Sequence, residues 1–242
     1  MDLSRRLAAE AIGTAFLLAA VVGSGIMGER LAAGNVAIAL LANSIATGCA
    51  LVALILALGP VSGAHFNPAV TLAMAIDKAL PWREAAAYVA VQVGAAFAGV
   101  AGAHLMFDEL PFSASVRART GAGQWWSELV ATFGLIVIIT VCSRVRPALV
   151  AFAVGCYIAA AYWFTASTSF ANPAVTLARA ASDTFAGIRG ADAPAFILAQ
   201  MAGAVAAVRI SQFLLEPWCR SPGSTGPGER GTDRHETVTR PK

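Results

Sequence analysis

Long apolar blocks separated by short polar connectors set the pattern of this chain. Six blocks, at about 7–27, 36–58, 84–106, 125–143, 147–165 and 193–215, match the ~20 apolar residues that a helix needs to cross a bilayer. Two further apolar pieces, at about 67–77 and 172–182, are roughly half that length. At ~1.5 Å per residue each reaches about 15 Å, half of a ~30 Å hydrocarbon core, so each can enter the membrane but not cross it. Charges mark the connectors: no Asp, Glu, Lys or Arg lies between Arg30 and Asp77, between Glu84 and Asp108, or between Arg146 and Arg179.

Composition agrees. Hydrophobic residues make up 57% of the chain and charged residues 13%, against ~25% charged in an ordinary soluble domain, which makes this a membrane protein. The net charge of +3 comes from scattered loop and tail arginines rather than a dense basic run, so no nucleic-acid partner is expected. Cys49, Cys142, Cys156 and Cys219 form no CxxC pair, and three of them sit inside apolar runs, where they read as packing residues. Arg5 and Arg6 before an apolar run imitate a secretory signal, but Glu10 and Thr14 recur as Glu128 and Thr132, so this segment belongs to the fold.

Six crossings put both termini on one side. Arg5, Arg6, Lys78, Arg83, Arg144, Arg146 and the tail fall on that side, and Arg30, Arg117, Arg119, Arg179 and Arg189 on the other, which predicts cytoplasmic termini. A single channel domain over 1–220 is expected, followed by a disordered cytoplasmic tail at 221–242, rich in Gly, Pro, Ser and Thr.

An internal repeat organises the chain. Residues 67–75 and 172–180 both open Asn-Pro-Ala-Val-Thr-Leu-Ala and differ only at Met74 against Arg179. Glu10, Asn67 and Gln92 are answered in order by Glu128, Asn172 and Gln200, dividing the chain into repeats at about 1–110 and 120–220. Each repeat holds three spanning helices and one half-helix. Three is odd, so the second repeat lies inverted and the half-helices meet from opposite faces. The expectation is an all-α membrane protein with six transmembrane helices and two re-entrant half-helices in an inverted repeat. Gly94, Gly99, Gly102, Gly203 and Ala207 are the small residues expected to let the helices pack closely.

In Asn67-Pro68-Ala69 and Asn172-Pro173-Ala174, Asn is a favoured N-cap and Pro suits the first helical position. Two helix N-termini, each equivalent to about +0.5 charge, would repel protons and cations where they meet, while the two amides donate to a passing oxygen. Non-helical backbone at Gly63–Phe66 and Thr168–Ala171 would supply carbonyl acceptors. A hydroxyl stripped of its hydrogen bonds costs about 4–8 kcal/mol in an alkane-like medium, so such a ladder opens a path for neutral polar solutes. Glu10 and Glu128, carboxylates inside apolar helices, are expected to accept hydrogen bonds from the re-entrant loops, with a proton relay as the alternative. His65 and Phe66 are candidates to line the inner pore, His65 alternatively fixing its loop. No second ligand of suitable spacing accompanies His65, so no metal is implied, and no cofactor or enzymatic motif occurs.

On these residues, from Leu7 to about Pro217, the chain resembles the major intrinsic protein family, the aquaporins and aquaglyceroporins. The resemblance implies a right-handed six-helix bundle with one pore per subunit of a homotetramer. It also implies an outer filter of four positions, which counted from the motifs are Thr47, Ala160, Ser169 and Val175. Most of the family carries arginine at the last of these, so a wide, uncharged filter is expected here. Val175 with the preceding run Tyr162-Trp-Phe-Thr-Ala-Ser-Thr-Ser-Phe-Ala resembles bacterial aquaglyceroporin-type channels associated with arsenic resistance. That implies a passive inner-membrane channel for arsenite, methylated arsenicals and small polyols such as glycerol, with some water. Water-selective or general glycerol conduction and ion-coupled transport are the alternatives. Arg179, one turn beyond Val175, would either gather oxyanions at the vestibule, snorkel to the interface or pair with Asp183.

Overall fold

The computed structural model describes residues 1–219, and the tail expected at 221–242 lies outside the described residues. Eight α-helices follow one another: α1 (Leu3–Leu31), α2 (Val36–Ser62), α3 (Pro68–Ile76), α4 (Trp82–Met106), α5 (Ala122–Val145), α6 (Val150–Phe164), α7 (Pro173–Arg179) and α8 (Ala193–Cys219), with no strand among the described residues. Among the described residues six spans are long and apolar enough to cross a membrane, and α3 and α7 are the two short α-helices. α2 runs four residues further than its apolar block. Pro60 sits in its last turn, and the helix stops only at Gly63, whose φ of +88° a side chain would strain. α7 ends three residues earlier than expected, at Arg179.

The repeat is inverted in space. Arg6, at the start of α1, pairs with Glu84 at the start of α4, while Arg144, at the end of α5, pairs with Asp77, just before α4. The start of α1 and the end of α5 therefore share one rim. At the opposite rim Arg30 pairs with Glu109 and Arg117 with Glu29. α1 packs along α4 and α5 along α8, while each half-helix touches both α4 and α8.

Close helix packing depends on a different set of glycines from the one the pattern predicts. A Cβ at Gly99 would fall 2.3 Å from the Ala15 carbonyl oxygen, and one at Gly203 would fall 2.4 Å from that of Leu129, so these two permit the helix contacts. Gly94 and Gly102 face open space and have no such role. Gly48 and Gly155 make the α2–α6 contact: a Cβ on either comes within 2.8 Å of the other's carbonyl. Cys49 and Cys156, expected to be packed, lie exposed beside those glycines on the outer surface. That outer surface also carries Phe16, Leu41, Ile45, Leu56, Phe152 and Phe213, an apolar exposure suited to lipid tails rather than water.

Candidate functional site

The two half-helices meet by their N-termini. Asn67 and Asn172 each cap their own helix, Oδ1 accepting from Ala69 N at 2.8 Å and from Ala174 N at 3.0 Å respectively. Each amide also reaches across the repeat: Asn67 Nδ2 donates to the Ala171 carbonyl at 2.7 Å, and Asn172 Nδ2 to the Phe66 carbonyl at 2.8 Å. An amide nitrogen carries two hydrogens, so one on each Asn is used between the loops and one remains on the cavity wall. The carbonyls of Phe66 and Ala171, expected to serve as pore acceptors, each accept one hydrogen bond from the opposite asparagine and retain a second lone pair.

Both loops are strained. Ala64, Phe66, Thr168, Ser169 and Ala171 all have φ between 47° and 62°, a region costly for residues with a Cβ. Buried carboxylates hold them there. Glu10 accepts from His65 N at 2.9 Å, Phe66 N at 2.7 Å, Ser62 Oγ at 2.7 Å and Gln92 Nε2 at 2.8 Å. Glu128 accepts from Phe170 N and Ala171 N, both at 2.9 Å, and from Gln200 Nε2 at 2.6 Å. The same glutamines also donate to Thr71 and Thr176 on the half-helices, giving one Glu–Gln–Thr network per repeat. With every oxygen engaged, each carboxylate satisfies backbone N–H groups that would otherwise cost about 1–3 kcal/mol apiece.

Phe66 is among the residues lining the cavity, and its ring is anchored against α1. Its ring fills a notch left by Gly13 of α1, where a Cβ would stand 2.0 Å from the ring. His65 lines the cavity with its Nδ1 3.1 Å from Thr71 Oγ1 and its ring edge-on to Tyr88 at 5.3 Å. Among the described residues no cluster of three metal-ligating side chains exists.

A cavity of about 240 Å³ runs past the meeting point, lined by both asparagines and by Thr47, Ser169 and Val175. Ala160 is not on this wall: it lies exposed on the outer face of α6, and the residues of α6 that line the cavity are Val150, Val154, Ile158 and Tyr162. The sequence carried the signal: Val150, Val154, Ile158 and Tyr162 recur every four residues, the spacing of one helix face, and all four line the cavity. Arg179 also lines it, fully buried, its Nε donating to the Ala186 carbonyl and its guanidinium stacked on Phe170. It makes no ion pair with Asp183, whose Oδ1 accepts from Val116 N, and it does not reach a lipid interface. The end of the cavity where α7 terminates is therefore neither uncharged nor wholly small.

An inverted repeat whose half-helices meet inside a six-helix membrane bundle, beside one continuous cavity, is the architecture of a membrane channel. The chain belongs to the major intrinsic protein family, whose model matches residues 1–148. It is 56% identical over 216 residues to aquaglyceroporin AqpS of Rhizobium meliloti (strain 1021), covering 89% of this chain and 92% of the relative. Aquaporin NIP3-1 of Oryza sativa subsp. japonica is 34% identical over 143 residues, which span 58% of this chain and 45% of that one. In fold it matches the X-ray structure of the aquaglyceroporin from Plasmodium falciparum with a TM-score of 0.70 at 21% identity, covering 90% and 98% of the two chains.

Proposed function

We propose that this chain is a passive channel for small uncharged hydroxylated solutes, namely glycerol-sized polyols and arsenite or methylated arsenicals, with water passing incidentally. The observation that carries this is the pair of amide N–H groups left on the cavity wall at the joined half-helices. They replace the hydrogen bonds a hydroxyl loses on leaving water, while two helix N-termini disfavour protons and cations. Thr47, Ser169 and Tyr162 hydroxyls add polar rungs toward one end, among apolar neighbours such as Leu51, Val154 and Val175. Val175 in place of the arginine usual in the family leaves more room there. The 56% identity to an aquaglyceroporin supports a polyol-sized cargo.

We place the protein in the bacterial inner membrane with both termini cytoplasmic, from its Lys and Arg distribution, and assign it a homotetrameric assembly by family resemblance. Purified protein in liposomes is expected to speed glycerol-driven swelling and arsenite uptake over bare lipid, with rates indifferent to a proton gradient. Vesicles as tight as bare lipid would overturn the reading, and flux that collapsed with the gradient would favour coupled transport.

A further inference from the structure

Two guanidiniums, that of the fully buried Arg179 and that of the half-buried Arg119, converge on one aromatic ring near the end of the cavity where α7 terminates. Arg179 lies with its guanidinium carbon 3.4 Å from the centroid of Phe170, and Arg119, from the loop between α4 and α5, with its own at 5.0 Å. Phe170 is held in turn edge-on by Phe196 at 5.3 Å. Arg119 donates through Nε to the Gly187 carbonyl at 2.8 Å and through Nη1 to the Ser167 carbonyl at 3.2 Å, tying the α4–α5 loop to the backbone on both sides of α7. Burial and the neighbouring Arg117 both pull its pKa below the usual arginine range.

Neither arginine joins an ion pair among the described residues, whereas Arg30, Arg117 and Arg189 at the same rim each hold a carboxylate. For the fully buried Arg179, a charge without a counter-ion is costly and needs a reason. Arg179 gives its Nε to Ala186, and a guanidinium carries about four further N–H groups on its two terminal nitrogens. The side chain lies on the cavity wall, as does Ser169, whose buried Oγ has no partner.

Resting on the channel reading above, we propose that Arg179 is the selectivity-determining cation of this pore, doing from one turn beyond Val175 what an arginine at 175 would do, with Arg119 as its positioning residue. Arg179 donates to a solute oxygen and repels cations, and Ser169 Oγ supplies a hydroxyl partner on the same wall. Phe170 and Arg119 keep the guanidinium at the wall and add to the positive field. The side chain withdrawn from 175 leaves space beside Val175, so charge selection and width are set by different residues.

The test separates charge from packing. In liposomes, Arg179→Gln is expected to raise proton leak at least about tenfold relative to glycerol flux, and Arg179→Lys to hold it near wild type. Arg119→Gln should show a smaller rise that Arg119→Lys reverses. A second measurement needs no variant: nitrate, a planar anion that suits a guanidinium, should slow wild-type glycerol flux at constant osmolarity. Equal leak in the Gln and Lys variants at 179 overturns the proposal, and so does wild-type flux untouched by nitrate. Absence of glycerol flux in the wild type would instead defeat the channel reading itself.

Discussion

The Thr47 hydroxyl lies 3.1 Å from the Tyr162 hydroxyl, joining α2 to α6 at the cavity wall. Tyr162→Phe removes one rung of the polar ladder and a bond of about 0.5–1.5 kcal/mol, so glycerol flux should fall two- to tenfold. Ala160→Leu, on the exposed face of the same helix, should leave flux unchanged. Stopped-flow light scattering of both variants checks the assignment. Reversed sensitivities would put Ala160 back in the filter.

Val175→Arg should suppress the larger solutes. Val175 is buried among the wall residues one turn from Arg179, so the new side chain narrows the cavity and sets two guanidiniums against each other. Glycerol and arsenite flux should drop at least about tenfold, equivalent to a barrier rise of ~1.4 kcal/mol, and water flux less. Unchanged polyol flux in vesicles would sink the role assigned to Val175.

Glu128→Gln should destabilise the second re-entrant loop. The carboxylate takes two backbone N–H groups and the Gln200 amide, and a carboxamide presents its own NH2 to one of those donors. A loss of roughly 2–3 kcal/mol is expected, seen as a lower Tm in detergent together with reduced flux. A proton-relay role would instead leave Tm intact and change only the pH dependence of flux.

The glycines sort by what surrounds them. Gly203→Ala pushes α8 off the Leu129 carbonyl and should cost about 1–3 kcal/mol. Gly94→Ala meets nothing within 4 Å and should be neutral, or stabilising by up to ~1 kcal/mol through helix propensity. Thermal melts of the two variants would distinguish them, and equal shifts would contradict the packing assignment.

The sequence by itself determined what depends on local chemistry and on solvent. Six apolar blocks must become helices because lipid leaves backbone groups no other partner, and the two Asn-Pro-Ala copies must start helices because of their capping chemistry. The odd number of crossings per repeat then implied the inversion. What only the tertiary structure decided is which side chains face one another across elements distant in sequence. Asn67 finds the carbonyl of Ala171, the ring of Phe66 turns into the notch at Gly13, and Tyr162 rather than Ala160 faces Thr47. Arg119 and Arg179 meet over Phe170 only because the loop after α4 folds across the end of α7. Pattern along a chain reports each residue's tendency to be buried. In a helix that is apolar all round, periodicity marks candidate faces without saying which turns inward, and that rotation, set by close contacts such as Gly48 on Gly155, chooses the groups that line the cavity.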